Sequence, residues 1–436
     1  MRLEADETDI VLLDIERLGA RGDGVAQTAR GPLFVAGALP GERVSAAIGA
    51  GDRARLAAIE RASPERIAPF CPHFGRCGGC SVQHLAPAPY AEWKRGIVVG
   101  ALDAARIKEA DALVAPLVDA RGAGRRRVTL HARSRSGGGV AGGGVAVGFM
   151  AARSHALVPI ETCPAAEPGL DGAAPAAHAL AALLAASGKP LDIQASASEA
   201  GLDIDIRGHG PVSGKQRTLL IAAAERLDLA RLSLHGEVLV ERRPPLVRMG
   251  RAAVVPPPGS FLQATGAGEA ALAALVDAAL EPARKGKRVA DLFAGSGPFA
   301  LRLAERVAVH AVESEAGALA ALEKAARATP SLRPITTERR DLFRRPLLAP
   351  ELAGFDAVVL DPPRAGAEAQ MRRLAETPVA AIAYVSCDPA TFARDAAILI
   401  AGGYALARVT PVDQFAYTGH VELVGAFVGP KPRRKR

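Results

Sequence analysis

A chain of 436 residues, 49% of them hydrophobic, is long enough for two or three domains and too apolar for general disorder. Its net charge of +8 favours a polyanionic partner. The first residues, MRLEADETDI, lack the basic and apolar segments of a secretory leader, and no apolar run approaches the roughly 20 residues that cross a bilayer. The expected setting is therefore cytoplasmic, away from membranes, where clustered cysteines hold metal more often than they pair.

Residues 7 to about 60 alternate apolar and polar residues between frequent glycines (IVLLDIERLGARGDGVAQ, GPLFVAGALPGERVSAAI). That spacing predicts the short strands of a small β-barrel, placed over 1–62. A second unit, 63–255, opens with a cysteine-bearing loop and a helical stretch near 88–118. Strands follow in RRVTLHARS, GVAVGFMA, LDIDIRG and LSLHGEVLVERR, and the tract SGGGVAGGGVAV (136–147) reads as a hairpin loop. Cys71, Cys77 and Cys80 form C-x5-C-x2-C, and Cys163 lies further on, giving four thiols for a tetrathiolate site. Zinc sites show two close pairs. Three grouped cysteines and one distant one better suit an iron–sulfur cluster, with zinc as the alternative. Arg125, Arg126, Arg127 and Arg133 stand close together in GAGRRRVTLHAR, as phosphate contacts require. The closing GPKPRRKR adds nonspecific affinity at most.

From 256 onward helices alternate with apolar strands: RVADLF, AVHAVE, FDAVVLD, AIAYVSC, YALARVTPVD and VELVGAFV. This rhythm predicts a doubly wound α/β domain over 256–436. In RVADLFAGSGPFALRLA, Asp291 ends a strand, and Gly295 and Gly297 form the turn into a helix. Such a turn brings backbone close to a ligand. A carboxylate at Asp291 would repel a dinucleotide's diphosphate but suits the cationic amino-acid end of S-adenosylmethionine. Glu313, ending the next strand, is placed for the ribose hydroxyls, and Asp341 for the adenine amino group. Asp361-Pro362-Pro363 ends a further strand, where open α/β sheets hold ligands. In amino-methyltransferases a D/N-P-P-Y/F tetrapeptide holds a planar nitrogen; here Arg364 replaces the aromatic residue.

Cys387, in YVSCDPATFARD, closes the next strand and opens into the same crevice. A lone strand cysteine is more often a small buried hydrophobe, but S-C-D-P after D-P-P-R argues for a nucleophile. Carbon 5 of a pyrimidine is too weakly nucleophilic to take a methyl group from a sulfonium. A thiolate added at carbon 6 converts the ring to an enolate reactive at carbon 5. A base must then remove the carbon-5 proton. DQFAYTGHVELV supplies Glu422 as first candidate and His420 as second.

Together FLQ (261–263), DLFAGSG, DPPRAG, SCDPATFARD and GHVE resemble the RNA uracil-5-methyltransferases, over most of the catalytic half. The resemblance implies Cys387 as nucleophile, Glu422 as base, and Gln263, Phe293, Glu313, Asp341 and Asp361 as S-adenosylmethionine contacts, with Asp361 also near the uracil edge. It implies a [4Fe–4S] cluster on Cys71, Cys77, Cys80 and Cys163. LFVAGALPGERV (33–44) resembles the TRAM domain, an OB-like RNA-binding barrel. The expected architecture is thus α/β: a Rossmann-like methyltransferase domain behind an OB-like TRAM β-barrel and a mostly β central iron–sulfur domain. TRAM plus cluster is most associated with enzymes of 23S rRNA, although tRNA enzymes share the parts. The target uridine must be flipped out or lie in an open loop. Two departures are Ala416, where the family usually has Pro, and Pro298 in the glycine turn. Radical methylthiotransferases also join a TRAM barrel to a cluster, but use C-x3-C-x2-C and lack DPPR and SCDP. A non-catalytic RNA-binding protein is the remaining alternative, and no obligate protein partner is evident.

Overall fold

The computed structural model describes residues 10–49, 51–134, 144–283 and 286–430. Most of the glycine tract expected as a hairpin loop, and the basic tail 431–436, lie outside the described residues. Six strands come first: β1 (Ile10–Asp14), β2 (Arg17–Leu18), β3 (Asp23–Thr28), β4 (Gly31–Ala36), β5 (Arg43–Ile48) and β6 (Arg53–Arg61). They pair in the order β1-β5-β6-β4-β3-β2. Alternate side chains such as Leu13, Val35, Val44 and Ala46 turn inward to one core. This sheet is compatible with the expected barrel, with β1 and β2 as its unpaired ends.

Helices α1 (Pro87–Ala104) and α2 (Ala110–Leu113) and the two-residue strand β7 (Val118–Asp119) follow. The middle sheet is built from β8 (Arg127–Ser134), β9 (Val145–Met150), β10 (Leu157–Pro159), β11 (Leu191–Ser198), β12 (Gly201–Arg207), β13 (Arg231–Leu234) and β14 (Glu237–Glu241). Its order is β10-β9-β8-β11-β12-β13-β14. Two helices, α3 (Ala173–Leu184) and α4 (Gly214–Arg226), share its core. The helical segment Pro168–Ser187, of 20 residues and mean hydropathy 1.2, is long and apolar enough to cross a membrane by length and composition. This corrects the expectation that no such run exists. Physically, its Ala173, Ala177, Leu180 and Leu184 are buried against the middle sheet, so its apolar face is already covered by protein.

The C-terminal part begins with the hairpin β15 (Val247–Met249) and β16 (Ala252–Val254), then α5 (Gly266–Ala279). Next come β17 (Arg288–Leu292), α6 (Ala300–Leu303), β18 (Ala308–Glu313), α7 (Ala316–Ala328), β19 (Ile335–Arg339), α8 (Ala349–Leu352) and β20 (Ala357–Leu360). The chain closes with α9 (Glu368–Ala375), β21 (Ala381–Ser386), α10 (Pro389–Ala401), β22 (Ala405–Asp413) and β23 (Glu422–Val428). Eight strands pair as β19-β18-β17-β20-β21-β23-β22-β7. The chain runs outward from β17 to β19, then returns to the other side of β17 with β20. That reversal creates the crevice where such sheets bind ligands, at the carboxyl ends of β17 and β20. β23 is antiparallel to β21 and β22, so its first residue, Glu422, meets the same edge. All six residues of β21 are buried, as expected of a central strand covered on both faces.

The parts are joined by more than linkers. α1 packs on α10, β7 pairs in parallel with β22, and the β15–β16 hairpin packs on α7. Arg126, just before β8, is buried and pairs with buried Glu269 of α5 at 2.6 Å, while Arg302 takes the other Glu269 oxygen at 2.9 Å. Removing Arg126 leaves part of a desolvated carboxylate uncompensated. Arg126→Met should therefore cost about 3 kcal/mol or more of stability, measured by urea unfolding, whereas Arg133→Met, which loses a part-buried bond to the neighbouring Ala132 carbonyl, should change it little.

Candidate active site

Cys387 is presented by a rigid strand-to-helix junction. Asp388 caps α10, its Oδ1 accepting the amides of Ala390 (3.0 Å) and Thr391 (3.1 Å), and Pro389 starts the helix, where its missing N–H is no loss. The Ser386 hydroxyl accepts the Asp388 amide at 3.2 Å and donates to the Asp388 carbonyl at 3.1 Å. Every residue around the cysteine in S-C-D-P is thus bound into the junction, and the half-buried thiol is left to face the crevice. Burial pushes that thiol up to about 11, and the nearby carboxylates of Glu422 and Asp361 push the same way; the Arg364 guanidinium opposes them. Arg364 is therefore the residue of the D-P-P-R motif that favours the thiolate, a role its replacement of an aromatic did not reveal.

Glu422 is buried, and its Oε2 accepts from Gln414 Nε2 at 2.8 Å. The same Gln414 amide donates to Gln263 Oε1 at 2.7 Å. Gln263 Nε2 in turn donates to Asp361 Oδ2 at 3.0 Å, completing a chain from Asp361 to Glu422. Gln414 Oε1 accepts the Ala264 amide at 2.9 Å, which fixes its amide orientation. Burial raises Glu422 to about 7 against the donated bond and Arg364. Asp361 is raised well above its usual range by burial, then by Glu422 and Asp291. Gln414 was not singled out in the sequence; its only signal was its position in DQFAYTGHVELV. His420, the second candidate base, sits on the rim beside Arg364, at 3.3 Å. Partial burial, then the cations Arg364, Lys94 and Arg125, keep its ring on the neutral side.

The other predicted cofactor residues gather at the switch point. Asp291 is fully buried at the end of β17, and neither carboxylate oxygen has a hydrogen-bond partner. The Ala300 amide faces it outside bonding geometry, and burial raises it to about 7. A buried carboxylate without partners, within electrostatic reach of Glu313 and Asp361, calls for a cationic ligand, which the α-ammonium and sulfonium of S-adenosylmethionine provide. Gly295 (φ +53°) has open space where a Cβ would stand, so the turn leaves a cradle; at Gly297 (φ +92°) a Cβ would lie 2.7 Å from Leu322. Glu313 accepts the Gly295 amide at 3.0 Å, tying the ends of β17 and β18 together. Phe293 takes a left-handed φ of +61°, a strained value for an aromatic residue, and leans on Phe343 with ring centroids 5.4 Å apart. Asp341, after β19, caps the turn that carries Phe343.

Cys387 opens into a cleft of about 1540 Å³. Its walls come from all parts of the chain: Arg17 and Arg21 of the first sheet, Trp93 of α1, Arg125, Arg153 and Arg364. Of the four arginines expected to contact phosphate, only Arg125 lines this cleft. Arg126 is spent on Glu269, and Arg127 donates to the Ser260 carbonyl at 3.2 Å and lies over Phe261. Cys71, Cys77, Cys80 and Cys163 line one cavity of about 440 Å³ next to the cleft. Burial raises the thiols of Cys77, Cys80 and Cys163, with further upward pushes from one another and from Cys71. Among the described residues, no three or more His, Cys, Asp or Glu side chains are drawn together closely enough to hold a single metal ion.

Residues 258–429 match the family described as tRNA (uracil-5-)-methyltransferase. An uncharacterised RNA methyltransferase of Brucella suis is 47% identical over 95% of this chain and 97% of its own length. The 23S rRNA (uracil(1939)-C(5))-methyltransferase RlmD of Halomonas elongata is 36% identical over 97% of this chain and 90% of its own. The chain belongs to the RNA uracil-5-methyltransferases. These enzymes are S-adenosylmethionine-dependent, and the buried Asp291 and open glycine turn fit that cofactor. The solved tRNA (uracil-54, C5)-methyltransferase of Pyrococcus abyssi, in complex with S-adenosyl-L-homocysteine, shares the fold. Its TM-score is 0.70 at 21% identity, covering 96% of this chain and 100% of that one.

For this uracil-5-methyltransferase the raised Glu422 has a thermodynamic signature. The folded chain holds a proton on Glu422 up to about pH 7, the unfolded chain only to its ordinary 4.5. Stability therefore falls as pH rises through that window. Glu422→Gln should match wild type near pH ~5 and exceed it by a few degrees in Tm near pH ~8. Calorimetry across that range without cofactor checks it; an advantage confined to low pH would reverse the electrostatic account.

Proposed function

We propose that this RNA uracil-5-methyltransferase acts on a uridine of 23S rRNA through a covalent adduct on Cys387, and that its four other cysteines hold a [4Fe–4S] cluster. The observation that carries the mechanism is the pairing of a half-buried thiol and a buried carboxylate, within electrostatic reach of each other, at one sheet edge. Bound at the switch point, S-adenosylmethionine supplies the electrophilic methyl group. Cys387 Sγ, its proton passed to solvent, adds as the thiolate to carbon 6 of the uracil, leaving an enolate whose carbon 5 takes the methyl as the methyl–sulfur bond breaks and S-adenosylhomocysteine departs. The Glu422 carboxylate then takes the carbon-5 proton, the electrons of that bond restore the 5,6 double bond, and the C6–Sγ bond breaks to return the thiolate. A base raised to about 7 is matched to proton transfer at neutral pH. Arg364 holds the thiolate, and Gln263 and Asp361 offer a donor and an acceptor to a uracil edge.

The 36% identity to the Halomonas enzyme across nearly its whole length supports 23S rRNA as the substrate. The cleft, walled by arginines from separate parts of the chain, suits a folded RNA with its target base turned out. Four thiols spread around one cavity suit a cluster, which separates its ligands further than a single ion does. Cys71, Cys77, Cys80 and Cys163 would hold it, and it would order the loop that separates thiol cavity and cleft.

Total RNA carrying 5-fluorouridine tests substrate and chemistry together. Fluorine cannot leave carbon 5 as a proton does, so the adduct should persist on a denaturing gel, and the attached RNA should sequence as 23S rRNA. Cys387→Ala should give no adduct while still binding cofactor. Attached tRNA would move the substrate assignment, and a methylating Cys387→Ala would remove the covalent step. For the cluster, the isolated protein should be brown, with iron and sulfide each near about four per chain; stoichiometric zinc would replace that assignment.

A further inference from the structure

One fully buried cation has no part in the chemistry above. Lys94, on α1, is 0% exposed. Its ammonium pairs with Asp413 Oδ1 at 2.9 Å and donates to the carbonyls of Phe415 (3.2 Å) and His420 (2.5 Å). Those acceptors stand at the start and near both ends of the segment between β22 and β23. Tyr90, one turn earlier on α1, donates its hydroxyl to Asp413 Oδ2 at 2.9 Å and accepts the Tyr417 amide at 2.8 Å. Tyr417 is held at a left-handed φ of +62°, a conformation that persists in a tyrosine only where the surroundings impose it.

This segment ends in the residue that matters. Gln414 follows Asp413 directly, Glu422 lies two residues beyond His420, and the two are joined by the 2.8 Å bond. Burying an ammonium carries a desolvation cost that an apolar side chain of the same length would avoid. Here it is offset only because three oxygens from separated points of the loop converge on Nζ. The convergence sets loop shape, and loop shape sets the carboxylate.

We propose that Lys94 is a positioning residue for proton abstraction: by closing the β22–β23 loop onto α1 it holds Gln414 and Glu422 where the carbon-5 proton appears. This rests on the covalent reading above. Two variants of the full chain test it, with S-adenosylmethionine and RNA from a strain lacking the gene. Lys94→Met keeps the length and loses the donors. Lys94→Met/Asp413→Asn also avoids leaving a lone buried carboxylate. Both should turn over about tenfold to 100-fold more slowly, with KM for cofactor and RNA within about threefold of wild type. Both should also accumulate an adduct on ordinary uridine, because methyl transfer outruns proton removal. Turnover like wild type, or slow turnover without adduct and with weakened cofactor binding, would overturn the proposal. Wild type run alongside separates the two readings: if it methylates no uridine, the functional assignment fails rather than the role of Lys94.

Discussion

Three carboxylates are held out of water at one edge of a single sheet, and much else follows from that arrangement. Asp291, Asp361 and Glu422 come from three different strands or strand ends, and each is raised chiefly by burial. Their mutual repulsion and lost hydration oppose folding. The fold tolerates them because β17, β20 and β23 are fixed by ladders and by packing on both faces. The same cluster suits a cationic ligand, and burial, followed by Glu422 and Asp361 and opposed by Arg364, keeps the Cys387 thiol protonated. Asp291, Asp361, Glu422 and Cys387 are therefore tied to one electrostatic balance.

Much of this was legible in the sequence because the motifs mark strand ends. Asp291, Asp361 and Cys387 sit towards the end of an apolar run and Glu422 at the start of one, and the antiparallel β23 brings all four to one edge. β19 was harder to read, since Ile335–Arg339 is ITTER, a polar edge strand without an apolar signature. α3 escaped for the opposite reason: its alanine run is apolar all round and shows no helical stripe. The arginine run was legible as charge but not as direction. Arg125, Arg126 and Arg127 face a cleft, a buried glutamate and a carbonyl in turn, and only the fold decides which. Gln414 and Lys94 carry no motif of their own; their meaning lies in contacts spanning 151 and 326 positions of the chain.

The thiol cavity and the catalytic cleft are neighbours, sharing Cys77, Cys80, Arg125 and Arg153 in their walls. Arg125 lowers the thiols of Cys77, Cys80 and Cys163 and also acts on His420. Arg125 is thus a cation shared between these thiols and the mouth of the site. A cluster in that position would act through shape and charge, in keeping with a reaction that neither oxidises nor reduces its substrate.

The chain leaves the catalytic sheet at β7 and returns to that side of the molecule at β15, so the middle sheet is an insertion with two tethers. An inserted body fixed at both ends cannot swing as a body on one linker can, and the Arg126–Glu269 pair adds a third point of attachment. The part of the cleft wall that carries Arg125 and Arg153 is therefore held at several points, with Arg153 also pairing with Asp23 of β3. It also follows that no single cut between 119 and 256 frees a complete catalytic unit: a fragment starting at 256 loses α1, β7 and the β15–β16 hairpin, and with them the surfaces that α10, β22 and α7 are built to meet.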